Sequence, residues 1–321
     1  EYTFGFYPLQ QYLIDMPGGR LQVLNIAWDS RPVEQGGQRW FPVQLNQNNY
    51  SHWTHPDFNW NSNCAACHTT NLQKNYDPGT HSYNTEWTEM DVSCEACHGP
   101  GQMHQQWALT ITDPNQQSLT APPESLNLMG AGQTGLWPTD PVKGVYYRDN
   151  SGNNISEIET CAQCHSQREQ IKSGKPGEPL MDNFRLGLLE PKYYHANGQV
   201  RGEAYVYGSY LQSSKYQAGV KCSDCHEPHI GELRLPGDRI CNQCHLSENY
   251  RTERHHHHPA QAQTSCLDCH MPVKTVMQID QRHDHSFLIP DPTNTARLNT
   301  PDVCHQCHQD KNAQWTADTL A

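Results

Sequence analysis

Seven stretches of this chain read Cys-x-x-Cys-His, and between them they use all fourteen cysteines. They are Cys64-x-x-Cys67-His68, Cys94-x-x-Cys97-His98, Cys161-x-x-Cys164-His165, Cys222-x-x-Cys225-His226, Cys241-x-x-Cys244-His245, Cys266-x-x-Cys269-His270 and Cys304-x-x-Cys307-His308. Two thiols at i and i+3 followed at once by an imidazole form the attachment sequence of c-type haem. The sulfurs make thioethers to the haem vinyl groups, and the histidine ligates the iron. Seven haem c groups are therefore expected, with His68, His98, His165, His226, His245, His270 and His308 as proximal iron ligands. Other uses of cysteine fit poorly. Zinc takes four ligands and usually pairs two Cys-x-x-Cys knuckles; seven knuckles do not pair evenly and need no histidine after each. A disulfide framework would not confine its cysteines to i, i+3. A thioredoxin-type site needs one such pair near a βαβ pattern, and none is present.

Twenty histidines less the seven proximal ones leave thirteen: His52, His55, His81, His104, His195, His229, His255, His256, His257, His258, His283, His285 and His305. That is enough for a second axial ligand on every iron, and bis-histidine ligation gives saturated, low-potential haems suited to outer-sphere transfer. Methionine in that position would raise the potential, but Met103 and Met271 lack a typical ligand setting, and methionine is not expected at most sites. The run His255–His258 is internal and lies eight residues before Cys266, so ligation is the better reading than a tag.

The elements that must hold these groups are thinly encoded. Only 35% of the 321 residues are hydrophobic, mean hydropathy is −0.85, and Gly and Pro number 22 each. Such a chain lacks the apolar material for a core of its size; the flat, apolar macrocycles are expected to supply it, so folding should depend on their attachment. The expected fold class is mainly α and irregular coil wrapped around seven c-type haems, with an N-terminal β-hairpin and little regular secondary structure. Residues 1–60 carry no motif: the apolar-rich runs Tyr7 to Met16 and Arg20 to Trp28 flank Pro17-Gly18-Gly19, a hairpin signal. Residues 61–321 form the expected multihaem domain. Successive first cysteines there are 30, 67, 61, 19, 25 and 38 residues apart. The long intervals leave room for loops, including the Pro-rich stretch Asp113 to Pro141, and the short ones force the last haems together. Each motif is expected to begin a short helix, placing its cysteines and histidine on one macrocycle. Thr300-Pro301-Asp302 into Ala321 reads as one capped helix with Pro in its first turn.

The net charge of −12 with no basic patch argues against nucleic acid as a partner. No apolar run approaches the roughly 18–20 residues that span a bilayer. The chain opens Glu1-Tyr2-Thr3-Phe4-Gly5 without a signal peptide. Haem c is ordinarily attached after export, so the expectation is a mature or trimmed chain of the periplasm, cell surface or exterior.

The residues around the motifs carry a more specific pattern. Val92-Ser93-Cys94-Glu95-Ala96-Cys97-His98-Gly99-Pro100-Gly101-x-x-His104 resembles a stretch of bacterial multihaem cytochromes c that are often joined to tetratricopeptide repeats. So do Gly5-x-Tyr7-Pro8-Leu9-Gln10-Gln11-Tyr12-Leu13, Ala27-Trp28-Asp29-Ser30-Arg31-Pro32 and Gln35-Gly36-Gly37-Gln38-Arg39-Trp40. Tyr207 to Ser213, Cys225-His226-Glu227-Pro228-His229, His270-Met271-Pro272 and Asp284-His285-Ser286-Phe287-x-Ile289-Pro290 extend the likeness over nearly the whole chain. That family resembles the superfamily of pentahaem nitrite reductase and hydroxylamine oxidoreductase. The resemblance implies His104, His229 and His285 as distal ligands, and His52, His195 and His258 fall where family members also place histidine. For the seventh iron, His255 is preferred over His81 and His283. Members usually have a further motif upstream of Tyr7-Pro8-Leu9 and repeats after the final helix; this chain has neither, and is read as a processed piece or a reduced member.

The functional expectation is an electron relay along a closely packed chain of bis-histidine haems. Its partners would be other redox proteins or its own copies, in a homo-oligomer or an extracellular conductive filament. The alternative is a multihaem oxidoreductase of nitrite or hydroxylamine type, which needs an open sixth position and a pocket of Arg, Tyr, His or Lys. Arg168, Tyr193 and Arg282 lie near haem segments and are the candidates; the Lys that replaces the motif histidine in the reductase is absent from all seven motifs.

Overall fold

The computed structural model describes residues 2–43, 52–111, 138–140, 145 and 146, 155–203, 205–259 and 261–320. The Pro-rich stretch Asp113 to Pro141 lies outside them except for 138–140.

The N-terminal hairpin is part of a larger sheet. Strands β1 (Tyr2–Phe4), β2 (Leu9–Met16), β3 (Arg20–Val23), β4 (Ile26–Asp29) and β5 (Arg39–Pro42) are all antiparallel. The second apolar run splits in two: β3 pairs with the C-terminal half of β2 (Leu13↔Val23, Met16↔Arg20), and β4 with its first residues (Leu9↔Asp29, Gln10↔Trp28). The change of register between them marks a bulge around Leu24 and Asn25. Strand β1 takes the other edge of β2, and β5 extends the sheet beyond β4. Gly18 and Gly19 turn the hairpin with φ of 74° and 69°. A Cβ on Gly19 would stand 2.1 Å from the carbonyl oxygen of Tyr83, so only glycine lets the Tyr76–Asp77/Ser82–Tyr83 hairpin close on this turn.

One face of the sheet packs on the first motif. Leu13, Leu21, Val23, Phe58, Trp60, Ala65 and Leu72 form a buried cluster that Phe4, Cys64 and Trp87 flank. Helix α1 (Trp60–Asn63) is locked to the sheet by Asn61: its Oδ1 accepts from Leu21 N at 2.7 Å and its Nδ2 donates to Thr85 Oγ1 at 2.9 Å. At the sheet's other end Ala27, Phe41 and Val43 cluster with Ile279 of the Val273–Val276/Asp280–His283 hairpin. Trp60 is 1% exposed. Trp60→Ala is expected to destabilise this unit by about 3–5 kcal/mol, read as lost amide-exchange protection in β2 and β3; full protection would mean that Trp60 does not carry the cluster.

Beyond the sheet the chain is a run of short helices: α2 (Ala65–His68), α3 (Cys94–His98), α4 (Gln102–Ile111), α5 (Ile155–His165), α6 (Leu180–Asn183), α7 (Tyr207–Leu211) and α8 (Ser214–Gln217). After these come α9 (Cys222–Cys225), α10 (Ser247–Tyr250), α11 (Glu253–His256), α12 (Cys266–His270), α13 (Pro292–Leu298) and α14 (Ala313–Leu320). Two-stranded ladders of two to four residues per strand stitch them together. The regular content is low, as expected, but the fold is mixed rather than mainly α, because the short segments between the helices pair into ladders and the N-terminal hairpin grows into a five-stranded sheet.

Two details differ from the sequence reading. The motifs do not all open helices: Cys161–His165 ends α5, Cys241–His245 lies in successive turns, and Cys304–Gln306 winds a 3₁₀ turn. The C-terminal helix does not start at Pro301 either. The motif takes its own turn, begun by Asp302 Oδ1 accepting from Cys304 N, and α14 starts afresh where Asn312 Oδ1 accepts from Trp315 N. The Pro-led, capped helix is instead α13, with Asp291 Oδ1 accepting from Asn294 N and Pro292 at its first position. Among the described residues no helix is long and apolar enough to cross a membrane.

Candidate cofactor sites

The motif turns are set by local caps. Ser265 and Asp268 form a reciprocal capping box on α12, and Asp224 Oδ2 accepts from Lys221 N at 2.7 Å ahead of α9. Helix α3 ends at Gly99, whose φ of 76° and ψ of −178° only glycine adopts readily, turning the chain into α4 and His104. Among the described residues no group of three or more His, Cys, Asp or Glu gathers as a metal-ion site. The arrangement instead sets four of the motif histidines against other histidines.

What it builds is histidine pairs. His98 faces His229 with ring centroids 6.2 Å apart, and His226 faces His285 at 6.3 Å. His270 faces His255, and His308 faces His258, both at 5.9 Å. The ring planes in these pairs lie within 14–25° of each other. Two imidazoles bound to one iron by bonds of about 2 Å, with about 1.1 Å from nitrogen to ring centre, stand roughly 6 Å apart. The pairs fit that requirement. The tautomer fits too: Nδ1 of His270 bonds Leu288 O at 2.7 Å, Nδ1 of His285 bonds His283 O at 2.9 Å, and Nδ1 of His258 bonds His256 O. A ring whose Nδ1–H donates to a carbonyl keeps the Nε2 lone pair for a metal. Nδ1 of His229 meets Glu227 Oε1 at 3.0 Å. Burial lowers the pKa of His226, His255 and His285 and so favours the neutral ring.

The run His255–His258 resolves into two roles. His255 ends up opposite the sixth motif and His258 opposite the seventh, because His257 takes a left-handed conformation (φ 56°) at the end of α11 and redirects the chain. The remaining sequence candidates are placed as follows. His104 packs on Trp107 at 5.3 Å, His52 lies on Trp53 with Nδ1 on Thr54 Oγ1, and His195 donates its backbone N–H to Gln199 O. No ring contact among the described residues joins these three to a motif histidine. His68 meets Phe4 edge-on at 5.2 Å. Burial lowers the pKa of His165, and the charges of Arg282 and His226 add to it.

His245 has a partner that sequence reasoning missed. Lys215 Nζ lies 2.7 Å from His245 Nε2. Burial lowers the lysine's pKa, and burial followed by Lys215 pushes His245 down to about 4. Nothing in its spacing marks Lys215; the one pointer is that the segment Tyr207 to Ser213 leads directly into it.

The motifs neighbour one another in a definite order. Cys164 of the third lies beside Cys67 of the first, whose Sγ is 3.9 Å from Cys164 O; Cys222 of the fourth lies beside Cys161 of the third, and Cys266 of the sixth beside Cys241 of the fifth. Cys97 of the second motif has its pKa raised by burial and then by Cys161 of the third; Cys225 of the fourth, pushed up to about 11 mainly by burial, also feels Cys244 of the fifth. Cys269 of the sixth, raised mainly by burial, feels Cys307 of the seventh. The line therefore runs from the second motif through the third, fourth, fifth and sixth to the seventh, with the first branching from the third. Its two ends hold the exposed cysteines, Cys94 and Cys307. Tyr250 stands edge-on between His245 and His255, 5.1 Å from each, where the fifth and sixth motifs meet.

The enzyme candidates are already engaged. Arg168 Nε donates to Gln163 O at 2.7 Å, its Nη2 lies 3.1 Å from Cys67 Sγ, and its guanidinium sits over Phe184. Arg282 pairs with Asp280 at 2.7 Å, and Tyr193 accepts from Gln167 Nε2 at 3.2 Å.

Repeated haem-attachment motifs, strung in contact through a fold of short helices and ladders, define the c-type multihaem cytochrome class. The comparisons agree with that class. Residues 27–99, which hold the first two motifs, match the family model of cytochrome c554 and c-prime. The chain is 23% identical over 177 residues to the multiheme cytochrome MtrA of Shewanella baltica, covering 54% of this chain and 49% of that one, so the match spans about half the relative's length. It shares its fold with the outer cell wall cytochrome OcwA, at a TM-score of 0.58 and 17% identity over 97% of this chain and 72% of that one. An undecaheme cytochrome from the S-layer of Carboxydothermus ferrireducens aligns more loosely, with a TM-score of 0.43 and 18% identity over 99% of this chain and 52% of that one.

Proposed function

We propose that this chain binds seven haem c groups and relays electrons along them outside the cytoplasm. Bound haem c supplies an iron couple that takes up and gives back single electrons. The polypeptide's part is to hold those groups in line and to close off their axial positions. His98 with His229, His226 with His285, His270 with His255, and His308 with His258 are the proposed axial pairs. His104, His195 and His52 remain the proposed distal ligands for motifs without a ring partner. The observation that carries the reading is that four motif histidines, on motifs lying side by side along the chain, are each faced by a second imidazole 5.9–6.3 Å away in a nearly parallel plane. Tunnelling falls off exponentially with distance, so a relay needs this crowding and a single catalytic haem does not. Kinship with the nitrite reductase and hydroxylamine oxidoreductase superfamily rests on Cys225-His226-Glu227-Pro228-His229 and Asp284-His285-Ser286, whose histidines belong to two of the four pairs. An oxidoreductase would need a charged group free to meet substrate, and Arg168 and Arg282 are otherwise occupied.

Placement at the cell surface follows from the likeness to an outer cell wall cytochrome, and from the export that haem c attachment entails. Redox proteins are the proposed partners. Assembly of copies into a filament draws support from the two exposed ends, where one chain's last motif could meet the next chain's second. Light scattering across a concentration series decides that point, since a monomer at every concentration excludes it.

Intact mass measurement of the holoprotein is expected to give seven haem additions with no free thiol and no disulfide. One intact disulfide between motif cysteines overturns the attachment reading. An excess of a protein-sized reductant should then reduce all of the haem; a fraction that stays ferric would mean a break in the line and an end to the relay.

A further inference from the structure

We propose that Lys215 is the sixth ligand of the iron held by Cys241, Cys244 and His245, which makes that centre histidine–lysine where its neighbours are bis-histidine. The inference rests on the attachment reading of the fifth motif. It starts from the aim of one atom: Lys215 Nζ meets Nε2 of His245, the nitrogen a motif histidine turns to its iron, at 2.7 Å. In the four bis-histidine pairs a second imidazole occupies the corresponding place, but no histidine ring among the described residues faces His245 in that way. Its aromatic neighbour, Tyr250, is edge-on and also abuts His255.

The lysine is held for this task. Helix α8 begins with Ser213 Oγ accepting from Tyr216 N at 3.1 Å, and Lys215 O accepts from Val220 N at 3.0 Å. Tyr210 in turn donates its hydroxyl to Val220 O. The backbone of Lys215 is thus fixed on both sides. Its side chain runs past the Phe287 ring, 5.7 Å from Nζ to the centroid, into the space between the fourth and fifth motifs. No ion pair among the described residues joins it to a carboxylate, the ordinary fate of a half-buried lysine. Two metal–nitrogen bonds of about 2 Å would set the nitrogens roughly 4 Å apart, so the flexible four-carbon stem of Lys215 would draw Nζ back from its 2.7 Å contact to admit an iron. Lys215 would hold that iron as a neutral amine, its ammonium proton passing to solvent with no electron transferred.

The test is spectroscopic and uses the full-length holoprotein. Near-infrared magnetic circular dichroism of the ferric protein separates imidazole–amine ligation from bis-imidazole by its charge-transfer band. The expected result is one haem per chain with the amine band, lost in Lys215→Gln with the gain of one high-spin haem. In Lys215→His the band moves to the bis-imidazole position while the haem stays low-spin. Absence of the amine band in the unaltered protein overturns the proposal without needing any variant to fold. So does persistence of the band in Lys215→Gln. The haem count on the peptide containing Cys241 and Cys244, measured by mass on the same sample, separates a failure of ligation from a failure of attachment, which would overturn both.

Discussion

Made in a host that cannot attach haem, the chain is expected to keep a folded N-terminal sheet and to lose defined structure from the second motif onward. The contrast follows from where the apolar side chains are buried. Of the twenty buried hydrophobic residues among those described, ten lie between Leu13 and Leu72 and close around the sheet. The other ten are spread between Ile158 and Val303. Each contributes about 1.5–3 kcal/mol, and the largest cluster they form is Ala162, Leu180 and Phe184 with two flanking residues. That is far less than a domain of such length ordinarily buries. The helices there are mostly of four or five residues, too short to persist alone in water. Hydrogen exchange on the apo chain should show protected amides in β2 to β4 and fast exchange from α3 to α14. Protection of α12 or α13 without haem would show that the peptide folds unaided, and would remove the argument that the cofactor forms the core.

Replacing His229 with alanine is expected to turn one low-spin ferric haem per chain into a high-spin one, visible by electron paramagnetic resonance. The geometry singles out which: the haem of Cys94 and Cys97, since His229 faces His98. His229 is half-exposed or more, with a side-chain accessibility of 76%, so its loss should change ligation without disturbing packing. His55→Ala is the matched control. That ring's Nδ1 accepts from Asp57 N at 3.3 Å, which leaves the proton on Nε2 and no lone pair there for a metal, and its removal should leave all spin states unchanged. An unaltered spectrum in the His229 variant would break the proposed pairing of the second motif.

What could be seen in the sequence was chemistry held in short spacing. The motifs, the need for a second histidine and the richness of the region around His255–His258 all lie within a few residues of one another. What could not be seen was who meets whom. His98 and His229 come together only because α3 and the His226–Glu227 ladder are brought side by side by the folding of the stretch between them, and no local pattern encodes that. Lys215 was invisible for the same reason in stronger form: one lysine in a four-residue helix has no periodicity to betray it. The misplaced C-terminal helix has a different origin. Thr300-Pro301-Asp302 carries genuine capping chemistry, but Asp302 spends it on the motif's own turn, so the helix has to be started again at Asn312. The sheet was under-read because β2 is long enough to serve strands on both of its edges, and a run of apolar residues shows only that a strand exists.

On the proposed relay, the nearness of both the first and the second motif to the third would give the molecule the wiring of a Y. Traffic between the exposed ends at Cys94 and Cys307 has no need of the first motif, which hangs from the line as a spur beneath the N-terminal sheet. A spur in a circuit is either a second inlet or a place to park charge. In both cases the third motif becomes the switchyard: damage there isolates two terminals at once, whereas damage at the first leaves the main line running.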